Sequence, residues 1–165
     1  MKNVLAALLM VLSFGAMSQV KIGFVDTQRL LDTMPSRKVA IQQYQDHEKA
    51  LRDELTVIGA ELQKMYEDYE KKQGDMTPVL RQHAEKKIMD KQRVVEERQQ
   101  SMQEELQAYG EELNKPILAK VQKAIAVISE RQKLSMVVDV TSTLYHAAEM
   151  NITNVVGVEL MKLEK

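Results

Sequence analysis

The side chains best suited to chemistry in this chain of 165 residues are its three histidines, His47, His83 and His146, and its paired acids, such as Glu96-Glu97 and Glu104-Glu105. A metal site built on a helix needs donors that share a face, such as two histidines four residues apart. None of the three has such a partner. General acid–base work needs a carboxyl whose pKa is moved by burial or by a close neighbour. The acid pairs lie in long charged stretches that read as solvated helix, with no pocket to move them. The chain also has no glycine-rich phosphate loop and no nucleophile elbow. These residues define no catalytic constellation, so an enzyme is not expected, nor a metal, nor a cofactor.

The same charges belong to a long segment, Ser36 to Asn114, in which apolar residues recur at three- and four-residue steps. Its first half carries Ile41, Tyr44, Leu51, Leu55, Ile58, Leu62, Met65 and Tyr69. Its second half carries Ile88, Val95, Met102, Leu106, Tyr109 and Leu113. That spacing is the seam of one helix packed along another. Between the halves, Gly74-Asp75-Met76-Thr77-Pro78 signals a turn, with Pro78 suited to open the second helix. The prediction is an antiparallel hairpin of two helices, 36–72 and 78–114, each roughly 55 Å long. In the return helix Gln92 and Gln99 fall where apolar residues would otherwise sit, which predicts polar layers in a loosely held seam.

The flanking segments read as a small body, residues 19–35 and 115–165. Val20 to Val25 is a strand with Val20, Ile22 and Phe24 on one face. Asp26 caps a short helix, Thr27 to Thr33, which Pro35 ends; Ser36 then caps the first arm helix. Lys115-Pro116 marks the exit from the arm, and Ile117, Val121, Ala124, Ile125 and Ile128 define a drier helical face reaching about Gln132. Ser135 to Val140 is a second strand and Leu144-Tyr145-His146 a third, shorter one. A capped helix spans Thr153 to Leu163. The hairpin returns the chain to its start, so strands from both ends must meet. A sheet this small has unprotected edges and is not stable alone, which points to association of several copies. Val20, Ile22, Phe24, Val138 and Val140 are the candidate assembly residues.

Residues 1–18 read as a signal peptide: Lys2, an apolar run from Val4 to Met17, and small residues before a cut after Ser18. The run is shorter than the ~20 residues a membrane span needs. With no cysteine, the chain has neither a lipid-anchoring thiol nor disulfides. The expected mature chain is exported and soluble. The formal charge of −1 lacks the basic excess of a nucleic-acid binder.

On the arm, Val57, Tyr66, Met76, Val79, Met89 and Val94 lie off or at the edge of the seams. Scattered apolar groups on a charged hairpin suit many weak contacts with an unfolded chain, and methionine adapts to varied surfaces.

Several segments together resemble the Skp/OmpH family of periplasmic chaperones. They are Lys21-Ile22-Gly23-Phe24-Val25-Asp26, Gln28-Arg29-Leu30-Leu31, Met34-Pro35, Lys115-Pro116-Ile117, Val137-Val138-Asp139 and Asn151-Ile152-Thr153-Asn154-Val155-Val156. The order of these segments, with the hairpin between them, carries the likeness. It implies a mainly α fold with a small β body, whose strands from three copies close into a trimeric β-barrel bearing three helical arms. It also implies an ATP-independent holdase in the periplasm, which keeps unfolded outer-membrane β-barrel proteins soluble between those arms. Peripheral contact with the membrane or lipopolysaccharide is a further partner the family brings; nucleic acid is not. Two features depart from the family: Asn151 stands where Asp is usual, and the chain is near neutral where well-studied members are basic. The alternative is a structural or adaptor protein of the periplasm whose hairpin tip, Lys71 to Arg81, docks on a folded partner.

Overall fold

The computed structural model describes residues 20–165. The expected leader and its cut after Ser18 lie outside the described residues. Two compact units are present: the body, made of the described residues up to Thr33 together with Lys120–Lys165, and the arm, Met34–Ala119.

In the body, strand β1 (Ile22–Val25) pairs in parallel with β2 (Met136–Asp139), with Phe24 opposite Val138. Phe24 also bridges Asn151, and its carbonyl accepts from Ile152 N–H at 2.8 Å, so β1 lies between two partners. Helix α1 (Thr27–Thr33) follows β1 directly. The expected cap is present: Asp26 Oδ1 accepts from the Arg29 amide at 2.9 Å. Parallel strands covered on both faces are apolar throughout. Accordingly Gly23, Phe24 and Val25 are all buried, rather than alternate residues only. Gly23 stands at a close approach: a Cβ there would lie 2.8 Å from Leu134 Cδ1 and 3.2 Å from Ile152 Cδ1, so those side chains would have to shift.

Helix α2 (Pro35–Lys72) and helix α3 (Pro78–Gln132) are joined by a 3₁₀ turn, Gln73–Asp75, and Pro78 opens α3. Two expectations at the ends of the arm need correction. Pro35 does not merely end α1; it is the first residue of α2, and Met34, with extended angles, is the cap position in place of Ser36. The proline ring forces the preceding residue to be extended and itself suits the first turn of a helix. At the other end, Pro116 does not break the return helix at Asn114, because α3 runs on as one helix to Gln132. The body stretch of α3 buries Val121, Ala124 and Ile128. It stops where Lys133 takes a left-handed φ of 56° and the Leu134 amide reaches back to Ser129 O at 2.9 Å.

The third strand expected at Leu144-Tyr145-His146 is not formed. Two 3₁₀ turns, Val140–Ser142 and Ala148–Met150, bracket the segment, and the bridge to β1 comes from Asn151 instead. The last helix, α4 (Thr153–Leu163), has the expected bounds. Asn151 Oδ1 accepts from Thr153 N–H at 3.0 Å, while Thr153 Oγ1 accepts from Asp26 N–H at 2.9 Å. The start of α4 is thereby tied to the start of α1. Val156 and Leu160 on α4 are fully buried, and Gly157 brings α4 close to Leu30.

Candidate functional site

The two candidate surfaces are the edge of the body and the flanks of the arm. In the body, Phe24 is buried and its ring stacks on His146 at 4.9 Å, so both are held by the chain's own core. Ile22, Val138 and Val140 are half-buried, and Val20 is exposed. Of the five candidate assembly residues, Ile22, Phe24 and Val138 lie on the paired strands, Val140 in the turn after β2, and Val20 before β1. Sequence reasoning passed over a more exposed group: Leu144 and Tyr145 stand almost entirely in solvent, as does much of Val158 on α4. The failed strand prediction at Leu144 and Tyr145 was the signal, since strand-like apolar residues without a ladder are left uncovered.

Asp139 organises the junction of these elements. Its carboxylate accepts from Thr141 Oγ1 at 2.6 Å, from Thr141 N–H at 2.9 Å and from Thr27 N–H at 3.2 Å. These hydrogen bonds, the Thr141 hydroxyl first, hold its pKa down at about 2. One side chain therefore closes β2, caps the following turn and meets an orphan amide of α1.

In the arm the seam is formed largely as its periodicity requires. Leu51, Ile88 and Leu106 are buried, and Tyr44, Leu55, Ile58, Leu62, Met65, Tyr69, Val95, Met102, Tyr109 and Leu113 are half-buried. Ile41 is an exception: it is exposed, lining a groove of about 420 Å³ with Tyr44, Gly110 and Leu113. The polar layers also fall elsewhere than expected. Gln92 and Gln99 are exposed, and the seam positions belong to Lys91 and Arg98, one residue earlier. The step from Ile88 and Val95 into the next layer is three residues, not four.

These layers are ionic. Lys91 Nζ meets Glu61 Oε2 at 2.5 Å. Arg98 grips Glu54 with two bonds, Nε to Oε1 at 2.8 Å and Nη2 to Oε2 at 2.7 Å, and its Nη1 reaches Glu105 at 3.1 Å. Glu105 in turn meets His47 Nε2 at 2.9 Å, and the His47 ring packs on Tyr109 with centroids 4.5 Å apart. The hydrogen bond from Arg98 lowers the pKa of Glu54, and the bonds to Glu54 and then Glu105 raise that of Arg98. His47 and Glu105, which sequence reading left as isolated surface groups, thus belong to one network. Beyond it, Tyr69 donates to Glu85, whose carboxylate raises the tyrosine's pKa.

The six candidate contact residues remain apart. Val57, Val79, Met89 and Val94 are exposed, Tyr66 is exposed with its hydroxyl donating to Gln92 at 3.3 Å, and Met76 sits half-buried after the turn. Val39, Leu80 and Leu118 are further exposed apolar groups on the two helices, which the seam periodicity did not single out. Together they scatter over both helices and make no single pocket. Among the described residues no group of three or more potential metal ligands occurs.

A small parallel sheet whose crossover is a long ionic hairpin is a distinctive arrangement, and the comparisons agree on it. The sequence profile of the family described as outer membrane protein (OmpH-like) matches residues 21–160, and the chain belongs to that family. The chain is 24% identical over 141 residues to the chaperone protein Skp of Photorhabdus laumondii, covering 86% of each chain. The chaperone protein Skp of Photorhabdus luminescens gives the same identity and coverage. In fold it is similar to the crystal structure of a Caulobacter crescentus protein described as an OmpH-like outer membrane chaperone. The TM-score is 0.77 at 15% identity, over 90% of this chain and 88% of that one.

Proposed function

We propose that this chain is an ATP-independent holdase of the periplasm that binds unfolded outer-membrane β-barrel proteins and keeps them soluble between the arms of a homotrimer. The observation that carries the reading is the surface of the arm. Exposed apolar side chains are spread singly among charges on both helices, the form expected of a surface that makes many weak, exchangeable contacts rather than one specific pocket. Family membership and the two Skp relatives support it. Val57, Tyr66, Met76, Val79, Met89 and Val94 are the proposed client contacts. Val20, Ile22, Phe24, Val138 and Val140 are the proposed assembly residues, with the exposed Leu144 and Tyr145 beside them. A two-stranded sheet leaves edges that copies of the chain would cover.

The test is the mass in solution of residues 19–165 by light scattering, alone and with an outer-membrane β-barrel protein diluted from urea. The reading expects a trimer that takes the client into a soluble complex. A monomer that leaves the client to aggregate would overturn it.

A further inference from the structure

The contacts of His, Arg and Lys with carboxylates that cross from α2 to α3 share one spacing. On α2 the participants are His47, Glu54 and Glu61, seven residues apart; on α3 they are Glu105, Arg98 and Lys91, also seven apart and in reverse order. Each pair is a rung of an antiparallel ladder, and all three rungs belong to the same alignment of the two helices. We propose that this ladder is an alignment device: its rungs, rather than the apolar seam, hold the arm helices in one register.

The apolar seam alone discriminates weakly between alignments, because Leu, Ile, Met and Tyr pack acceptably against one another after a slip of one helical turn. The rungs do not. A one-turn slip would set Arg98 against Val57-Ile58 in one direction or against Ala50-Leu51 in the other. Lys91 would face Lys64-Met65 or Val57-Ile58, and Glu105 would face Ala50-Leu51 or Gln43-Tyr44. One of these slips would give Glu61 a substitute in Lys87, but neither gives Arg98, Lys91 or Glu105 an opposite charge across the seam. The Arg98 and Lys91 side chains are only 25% and 24% exposed, so on slipping Lys91 would lose Glu61, and Arg98 would lose its two-bond grip on Glu54 and keep only Glu105 of its own helix, while both stay partly shielded from water. Polar residues at seam positions are known to select register at a cost in stability. Arg98 is the strongest rung, since its planar fork holds carboxylates from both helices at once. Alignment also decides which exposed apolar groups of the two helices lie side by side. The ladder itself is independent of the chaperone reading.

The test uses the full mature chain without client. The chain has no cysteine, so Val57→Cys and Val94→Cys on opposite helices can carry nitroxide labels for a pulsed electron paramagnetic resonance distance. With the labelled chain diluted in an excess of unlabelled chain, so that distances within one copy are read, the parent is expected to give one narrow distance. Adding Lys91→Leu with Arg98→Leu removes two rungs while keeping an apolar seam, and a second distance should appear, displaced by one turn, ~5 Å. Its population should rise about tenfold. The labelled parent in roughly 1 M NaCl should keep its single distance, because rungs in direct contact and partly shielded are the charge pairs that salt screens least. A second population in the leucine variant supports the ladder. A single narrow distance there overturns it, and neither result bears on whether the trimer holds a client.

Discussion

In the body, Leu30, Val156 and Leu160 are shut off from water, and a methyl group at Gly23 would press on the Leu134 and Ile152 side chains. In the arm, two helices run side by side for more than thirty residues each, yet between Leu51 and the tip only Ile88 is buried on either side of the half-exposed ionic rungs at Glu61–Lys91 and Glu54–Arg98. The body is therefore specified by shape, the arm by periodic charge over a thin apolar seam. Shape tolerates little substitution, because a filled core leaves a cavity when trimmed. A thin seam tolerates much more, and its surface is free to carry apolar groups that the fold does not use.

That contrast can be broken most severely at the body core. Leu160→Ala should cost about 3 kcal/mol and lower the urea midpoint of the whole chain, seen by circular dichroism. Should the arm of this variant stay helical while the body melts, the two units are less coupled than their shared helix α3 suggests. Leu106→Ala, in the arm seam, should cost less, about 2 kcal/mol, and raise hydrogen exchange around residues 44–55 and 98–113 while body amides keep their protection.

Asp139 offers a sharper probe of the body. Its pKa is depressed from the ordinary 3.8 to about 2, so it contributes stability that is present above about pH 4 and is lost as pH falls toward 2. The parent's urea midpoint should fall over that window. Asp139→Asn should cost about 1 kcal/mol at neutral pH and show a flatter acid profile. An unchanged acid slope in the variant would remove Asp139 from the account.

Lys133→Gly should stabilise the body by about 0.5–1 kcal/mol, because the left-handed φ of 56° strains any residue with a Cβ. A thermal melt reads it directly. The smallest effect is expected on the arm flank: Val57→Ser should leave both stability and client retention within about twofold of the parent. A single flank substitution that abolished retention would mean a specific site in place of dispersed contacts.

Local chemistry made much of this legible in the sequence. Helices α1 and α4 have the expected bounds because each is fixed by a short-range device, Asp26 before one and Asn151 before the other. The α2 seam was legible from Tyr44 onward because its apolar residues dominate their layers. The α3 seam was less so: where a layer is filled by Lys91 or Arg98, apolar periodicity is silent, and the neighbouring glutamines looked like the polar layer. Charge pairing across the hairpin would have found it, since Glu54 and Glu61 recur at the same interval as Arg98 and Lys91. The absent third strand had a different cause. Leu144 and Tyr145 have strand-like composition, but a strand needs a neighbour, and within one chain Asn151 already occupies the bridge to Phe24. The exposed apolar groups proposed as contacts were readable only as positions off the seam, because nothing in a single sequence distinguishes an idle surface valine from one that works.

The bond from the Asp26 amide to the Thr153 hydroxyl joins residues 127 positions apart. It sets an order of events for a chain that emerges from its N-terminus. The first strand is made early and has nothing to pair with until β2 and the last helix have followed. The hairpin, whose contacts are nearer in sequence, can close in the meantime. The body is then completed only when α4 joins it. A chain cut short before α4 would possess a formed arm and a strand left waiting, so any contact that depends on the finished body is withheld until α4 has followed.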